Sequence, residues 1–315
     1  SAAPQADRTR HSGAGRISRL RMRPMTLAES QHSTNDISFA EIANGAKTVS
    51  GRAALTYVQL AQEAVRGGWP GLLGASPETS VRFNRSYNED LTAVDLPTAT
   101  GIRHEPVRVH RLLASLARNI ASEATLKKLA ADVGADGKPS AATTIRDYLD
   151  ALTTIFAYEE LPAWSVSVRS RSRLRTSPRI HLADPSLALA ALGIGPDRLA
   201  RNPDYFGQIF ESMAIRDLRV YAAALDASVY HYRDNTGLEI DAIIEFTDWS
   251  WAAAEIKLGH TEIPQAEAHL MKLRDERVDL ERTGQPRFLA VITGTEYAYT
   301  LPSGIHVIPL SSLTA

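Results

Sequence analysis

Two short runs, Glu239-Ile240-Asp241 and Glu255-Ile256-Lys257, carry the residue types and spacing of a hydrolytic site. Residues two apart on a strand share a face. Glu239, Asp241, Ile243 and Glu245 are therefore expected on one side, and Ile240, Ala242, Ile244 and Phe246 on the other. After a turn at 247–250 the return strand repeats the pattern, with Trp251, Ala253, Glu255 and Lys257 opposed to Ala252, Ala254, Ile256 and Leu258. A register that keeps like faces together sets Asp241 opposite Glu255 or Lys257, at the roughly 4.5–5.5 Å of cross-strand neighbours. Two carboxylates and one ammonium then converge. Hard divalent cations such as Mg²⁺ or Mn²⁺ take carboxylate, water and phosphate oxygens, which makes Asp241 and Glu255 the candidate metal ligands. Lys257 can orient or deprotonate the attacking water and offset charge in the transition state. Lysine is a marked choice in a chain where only six of the 35 basic residues are lysines, because an ammonium can shed its proton when desolvated and a guanidinium cannot. Spacing alone equally allows a solvated amphipathic hairpin with an Asp241–Lys257 ion pair.

The elements around this hairpin follow from periodicity. A helix at about 205–225 carries Phe206, Ile209, Phe210, Met213, Ala214, Leu218 and Tyr221 on one stripe. A strand at 229–233, the hairpin, a helix at about 264–277 and strands at 287–293 and 305–309 complete an α/β layered unit. Upstream, apolar spacing predicts helices at 110–122, 125–133 and 140–156, the last two separated by a turn at 134–139. That is a helix-turn-helix candidate, with strands at 157–161 and 179–182 as a wing and a short helix at 184–193 against it. In that frame Ser140, Thr143, Thr144 and Arg146 face outward, where they can meet phosphate or base edges. Helices are also expected at 51–67, stopped by Gly67-Gly68-Trp69-Pro70, and at about 76–91, whereas the first 50 residues show no strong period.

At 315 residues, 44% hydrophobic and 23% charged, the composition is that of a globular protein of two or three domains. Zero cysteines exclude disulfides and thiolate zinc sites and fit a reducing cytoplasm. No apolar run reaches the roughly 20 residues that cross a bilayer, and the polar, arginine-bearing start lacks a signal peptide's apolar core; a cytoplasmic protein with no membrane partner is expected. Net charge of −1 argues against a globally basic nucleic-acid binder. The arginines are uneven, though. Arg8, Arg10, Arg16, Arg19, Arg21 and Arg23 crowd the start, and Arg169, Arg171, Arg173, Arg175 and Arg179 form a second group. Both can meet phosphates; a solvated loop or an ion-pair seam is the competing reading.

Other site motifs are not matched in spacing. Gly134-Ala135-Asp136-Gly137-Lys138-Pro139-Ser140 is the nearest approach to a phosphate-binding P-loop and fails in spacing and at Pro139. The nine histidines show no His-Glu-x-x-His, His231 reads as structural, and no Gly-x-Ser-x-Gly elbow is present.

Several segments together carry a family resemblance: Arg16 to Met25, Gly67-Gly68-Trp69-Pro70, Tyr148 to Leu152, Leu161-Pro162-Ala163-Trp164, Asp184-Pro185-Ser186-Leu187, Phe210-Glu211, and the run from Tyr232-Arg233 to Lys257. In this order the chain resembles prokaryotic ATPases of the AAA type that end in domain of unknown function 4143. The resemblance implies a remnant of the ATPase core at 1–50, a helical lid-like segment at 51–104, a winged helix at 105–195 and a restriction-endonuclease-like α/β domain at 196–315. That family's P-loop and acidic metal-holding strand lie upstream of the stretch matched here, so nucleotide binding and ATP hydrolysis are not expected of this chain alone. Carried over residue by residue, Asp241 matches the acid of the first motif strand, Glu255 and Lys257 match the Glu-x-Lys pair, Glu211 matches a further acid on the domain's first helix, and Glu239 is an additional acid. Two functions follow as expectations. One is Mg²⁺- or Mn²⁺-dependent DNA cleavage, with the helix-turn-helix and Arg169, Arg171, Arg173 and Arg175 gripping the duplex. The other is a catalytically silent DNA- or protein-binding regulatory module of a defence or toxin-antitoxin setting, working with an ATPase module or by self-association.

Overall fold

Cap residues in the sequence set six of the twelve helix starts among the described residues. Ser38, Thr56, Ser76, Thr125, Asp184 and Asn202 each turn a side-chain oxygen onto a backbone N–H of the following first turn, and proline follows directly at positions 77, 185 and 203. The structure is a computed structural model and describes residues 21–100, 105–134, 138–165 and 177–315. Its first part runs β1 (Ile37–Ser38), α1 (Phe39–Ala43), β2 (Gly51–Arg52), α2 (Tyr57–Arg66), α3 (Pro77–Asp90) and α4 (Leu96–Thr100). Next come α5 (Pro106–Arg118), α6 (Leu126–Val133), α7 (Ala142–Thr154), β3 (Tyr158–Leu161), β4 (Arg179–Leu182), α8 (Pro185–Ala191) and α9 (Pro196–Ala200). The last part is α10 (Pro203–Ala224), β5 (Ser228–Arg233), β6 (Glu239–Glu245), β7 (Trp251–Lys257), α11 (Ile263–Lys272), α12 (Leu280–Thr283), β8 (Leu289–Thr293), β9 (Tyr297–Thr300), β10 (His306–Pro309) and β11 (Leu313–Thr314). The fold is mixed α and β, as expected. Three helices followed by the antiparallel β3–β4 pair stand where the helix-turn-helix and wing were predicted.

The main sheet has the order β2-β9-β10-β8-β7-β6-β5, with β7, β8 and β10 parallel to one another and the other pairs antiparallel. Helix, three antiparallel strands, helix, parallel strand is the order of its central half. α10 and α11 cover opposite faces, so the centre of the hairpin is buried on both sides. Ala242, Ile244, Ala252, Ala254 and Ile256 join the core under α10; Ile240, Ile243, Trp251 and Ala253 join the one under α11.

That corrects the expectation of one core face and one polar face. It also corrects the strict alternation along β6. Opposite β5 the register steps from Tyr230↔Ile243 to Tyr232↔Ile240, two residues against three, which is a bulge around Asp241. Ile240 and Ile243 consequently pack on the same side, and Asp241 no longer shares the direction of Ile243.

Two helix starts also differ. The helix expected from Gly51 begins at Tyr57, because Gly51 and Arg52 pair with β9 and Thr56 forms a reciprocal cap with Gln59. The one expected from His110 begins at Pro106, which as the first helical residue needs no N–H partner.

The segment before α2 is woven into the C-terminal sheet. β1 pairs with β11 and β2 with β9. The Leu27 N–H donates to Asp217 at 3.0 Å and that of Met25 to the Gly68 carbonyl at 2.7 Å. Buried Arg216 on α10 is held between Asp184 (2.8 Å) and Asp217 (2.7 Å), and Asp184 also accepts from the Gly68 N–H at 2.9 Å. This explains Gly67-Gly68: Gly67 takes φ +75°, and a Cβ on Gly68 would lie 2.2 Å from the Met25 carbonyl.

Candidate functional site

The expected residues do converge. Where β6 and β7 run on toward each other, the Ala242↔Ala254 register carries Asp241 to Glu255. Lys257 Nζ donates to Asp241 Oδ2 at 3.2 Å and to Glu255 Oε2 at 2.8 Å, and the Ile256 N–H donates to the same Asp241 oxygen at 2.9 Å. Glu211 reaches the group from α10, and Glu239 stands at the start of β6. His269 on α11 meets Glu255 Oε1 through Nδ1 at 3.0 Å, a contact that residue spacing did not foretell.

The larger surprise is Arg179. Grouped by sequence with arginines that either meet phosphates or form a solvated loop or an ion-pair seam, it opens β4 and turns into the acids. Its Nη1 donates to Glu211 at 2.6 Å and to Asp241 Oδ1 at 2.9 Å, and its Nη2 to Glu239 at 2.9 Å. The Arg179 side chain is only 7% exposed. Arg169, Arg171, Arg173 and Arg175 lie outside the described residues. On α7, Thr143 and Arg146 are exposed and Thr144 is half-buried, so that face points outward as expected; Asp147 and Asp150 share it.

Charge balance follows from these contacts. Burial opposes ionisation of Asp241, but Lys257 and Arg179 hold it well below the usual carboxylate range. Burial, reinforced by that Asp241 charge, pushes Glu211 up to about 8 and Glu255 up to about 7, against the pull of Arg179 on the first and of His269 and Lys257 on the second. Lys257 is held protonated, its burial outweighed by Asp241 and Glu255. His231, beneath the cluster, is driven down to about 4 by burial and by Arg179, and its Nε2 meets the Ser177 carbonyl at 3.2 Å. It is structural, as its sequence context suggested. Two fixed cations, Arg179 and Lys257, thus offset Asp241 and Glu239, and the two glutamates gain their protons near neutrality.

A divalent ion does not fit this arrangement. Asp241 gives one oxygen to Arg179 and the other to Lys257 and Ile256; Glu255 gives one to Lys257 and one to His269. The guanidinium of Arg179 bonds both Glu211 and Asp241. Among the described residues no group of three or more His, Asp or Glu side chains is arranged to hold a metal ion.

The acids, the lysine and six of the seven strands of the sheet fall within one matched region. Residues 206–313 match domain of unknown function 4143. Arg179 therefore enters the 4143 domain from outside it, out of a stretch, residues 57–198, that matches domain of unknown function 8612. Two uncharacterized proteins, one of Mycobacterium bovis and one of Mycobacterium tuberculosis, are 28% identical to the chain over 252 residues, 79% of it. The chain spans about half the length, 52%, of these curated relatives. No solved structure matches it. Among the described residues no helix is long and apolar enough to cross a membrane.

Proposed function

We propose that the 4143 domain of this chain is a nuclease-type fold that binds without cutting, a regulatory module associated with DNA. The observation that carries the silent site is the Arg179 fork across Glu211, Asp241 and Glu239. A guanidinium supplies the countercharge a metal would bring, yet it offers no coordination position for water and no Lewis acidity. The DNA partner is supported by the outward face of α7, with Thr143 and Arg146 exposed, and by the resemblance of α5 to β4 to a winged helix. The test is plasmid incubated with Mg²⁺ or Mn²⁺ beside a salt-dependent binding assay. Expected are no cleavage, and DNA affinity that falls steeply with salt and is weakened by Arg146→Ala. Metal-dependent cleavage by the parent chain, abolished in Asp241→Ala, would overturn the silent reading; a flat salt response would remove DNA.

A second reading is favoured by the retention of Asp241, Glu255 and Lys257 in contact. In it Arg179 is a latch on a competent nuclease. Cleavage appearing in Arg179→Ala and lost again on adding Asp241→Ala would put this reading in place of the first.

A further inference from the structure

A second charged cluster lies on the far side of β3, and here the excess is positive. Glu159 on β3 is surrounded by three guanidiniums. Arg21 meets its Oε1 at 2.7 Å, Arg219 of α10 meets its Oε2 at 2.6 Å, and Arg23 bonds both oxygens. Arg219 also donates to the Glu160 carbonyl at 2.7 Å. Its side chain is nine-tenths buried, with 10% exposure, while Arg23 is 21% and Arg21 37% exposed. These arginines line a recess of about 360 Å³ whose other wall is Pro162, Ala223, Ala227 and Val229.

The charges do not close. Three guanidiniums against the Glu159 carboxylate leave two positive charges. The remaining acid on the rim, Glu160, has an exposed side chain turned to the Tyr158 hydroxyl at 3.1 Å, where water screens it. Arg219 registers the imbalance: burial lowers it, Glu159 restores only part, and Arg23 and Arg21 depress it further, to about 10 in all. Each guanidinium carries about five N–H donors in a fixed fork, and Glu159 has two oxygens to receive them. Its carboxylate marks a point on which the arginines already converge.

We propose that this recess binds the phosphate end group of a small phosphorylated molecule, with Arg21, Arg23 and Arg219 as its donors. A phosphate monoester carries about −1.5 to −2 at neutral pH, which matches the uncompensated charge, and arginine forks match its oxygens. A terminal phosphate is favoured over a polynucleotide backbone, because Arg219 is nine-tenths buried and a continuous strand would need a track of surface donors. The apolar wall suits the body of such a ligand.

The test is isothermal titration calorimetry of the full chain with inorganic phosphate and with phenyl phosphate, at constant ionic strength in chloride. Both should bind, phenyl phosphate more tightly. Arg21→Gln and Arg23→Gln, at part-exposed positions, should each weaken binding about tenfold or more, the loss of one charge-assisted contact. Glu159→Gln removes the resident anion and should strengthen binding, an effect that a merely damaged fold would not produce. No heat with either ligand, affinity unchanged in both arginine variants, or weakened binding in Glu159→Gln would each overturn the proposal. So would a duplex oligonucleotide that binds through Arg21 and Arg23 while both phosphates do not.

Discussion

Replacing Arg179 by methionine keeps much of the side chain's apolar volume and removes its charge, leaving Glu211 and Asp241 side by side in the interior with only Lys257 to offset them. Arg179 is 7% exposed and holds three carboxylates at 2.6, 2.9 and 2.9 Å, so the change breaks a buried ion cluster from one side. Such a break costs about 3–5 kcal/mol. Where in that range the loss falls is set by pH. Glu211 is raised from its ordinary 4.5 to about 8 by burial and by Asp241 even with Arg179 present; without Arg179 it rises further. At pH 5.5 it is neutral in both proteins, and the carboxylates that lose a countercharge are Asp241 and the part-exposed Glu239. At pH 8 the variant must either bury a second charge or take up a proton, and each tenfold rise in the proton affinity of Glu211 is worth about 1.4 kcal/mol. Urea unfolding should therefore show a midpoint about 1 M lower at pH 8 and a distinctly smaller drop at pH 5.5. Adding Glu211→Gln to Arg179→Met should recover part of the loss at pH 8, since the pair shares one partner. A midpoint lowered by less than about 0.3 M at pH 8, or by the same amount at both pH values, would refute the view of Arg179 as the buried countercharge.

Glu211 and Glu255 give the parent chain a pH profile of definite sign. Both carboxyls keep protons in the folded state that the unfolded chain releases near 4.5, so the folded state binds more protons and stability falls as pH rises through about 7 and about 8. His269, raised by its bond to Glu255, acts in the same direction, its contribution present below 6.5 and lost above. In Glu211→Gln the decline between pH 5 and 8 should flatten, and a slope equal to the parent's would rule out this assignment. Gly68→Ala should destabilise by about 1–3 kcal/mol, because its Cβ meets the Met25 carbonyl at 2.2 Å and backbone cannot give way cheaply. Gly71→Ala, with nothing within 4 Å, is the control; thermal melts that show equal shifts would dismiss the close approach.

How much could be read from the chain depended on whether the deciding contact was local. The stripe from Phe206 to Tyr221, the pair Tyr158–Leu161 and Arg179–Leu182, and the hairpin ends follow from residues a few positions apart, and they fold as expected. Convergence of Asp241, Glu255 and Lys257 also follows from one turn. The β6 bulge does not, because it is a mismatch with β5 that alternation along a single strand cannot express. Strands of two residues such as β2 carry no period at all; Arg52 pairs with Tyr297 across the whole chain. Arg179 sits among basic neighbours in sequence, and its partners are 32 to 62 residues away. One signal was available. Glu211, Asp241 and Glu255 against a single lysine cannot be buried together without another cation, and Arg179 opens a strand whose other residues, Ile180, His181 and Leu182, are buried.

The two charged clusters are the two ends of one joint. The β3–β4 pair gives an arginine, Arg179, to the acid Glu211 on α10 and an acid, Glu159, to the arginine Arg219 on the same helix. Glu211 and Arg219 are eight positions apart, two turns or about 12 Å along α10, and Leu161↔Arg179 and Glu159↔His181 stand two pairs apart in the hairpin register. Opposite charges are exchanged at both ends, so sliding the hairpin along the helix or reversing it brings like charges together. Beyond β3 the chain continues beside the sheet edge, where the Trp164 N–H donates to the His231 carbonyl at 2.6 Å and the Trp164 indole to Glu245 at 2.8 Å, which covers β5. A hairpin held this way is specified in position by electrostatics and in depth by packing. The acid cluster depends on an upstream residue, Arg179, and residues 206–313 tested without it would lack that buried cation.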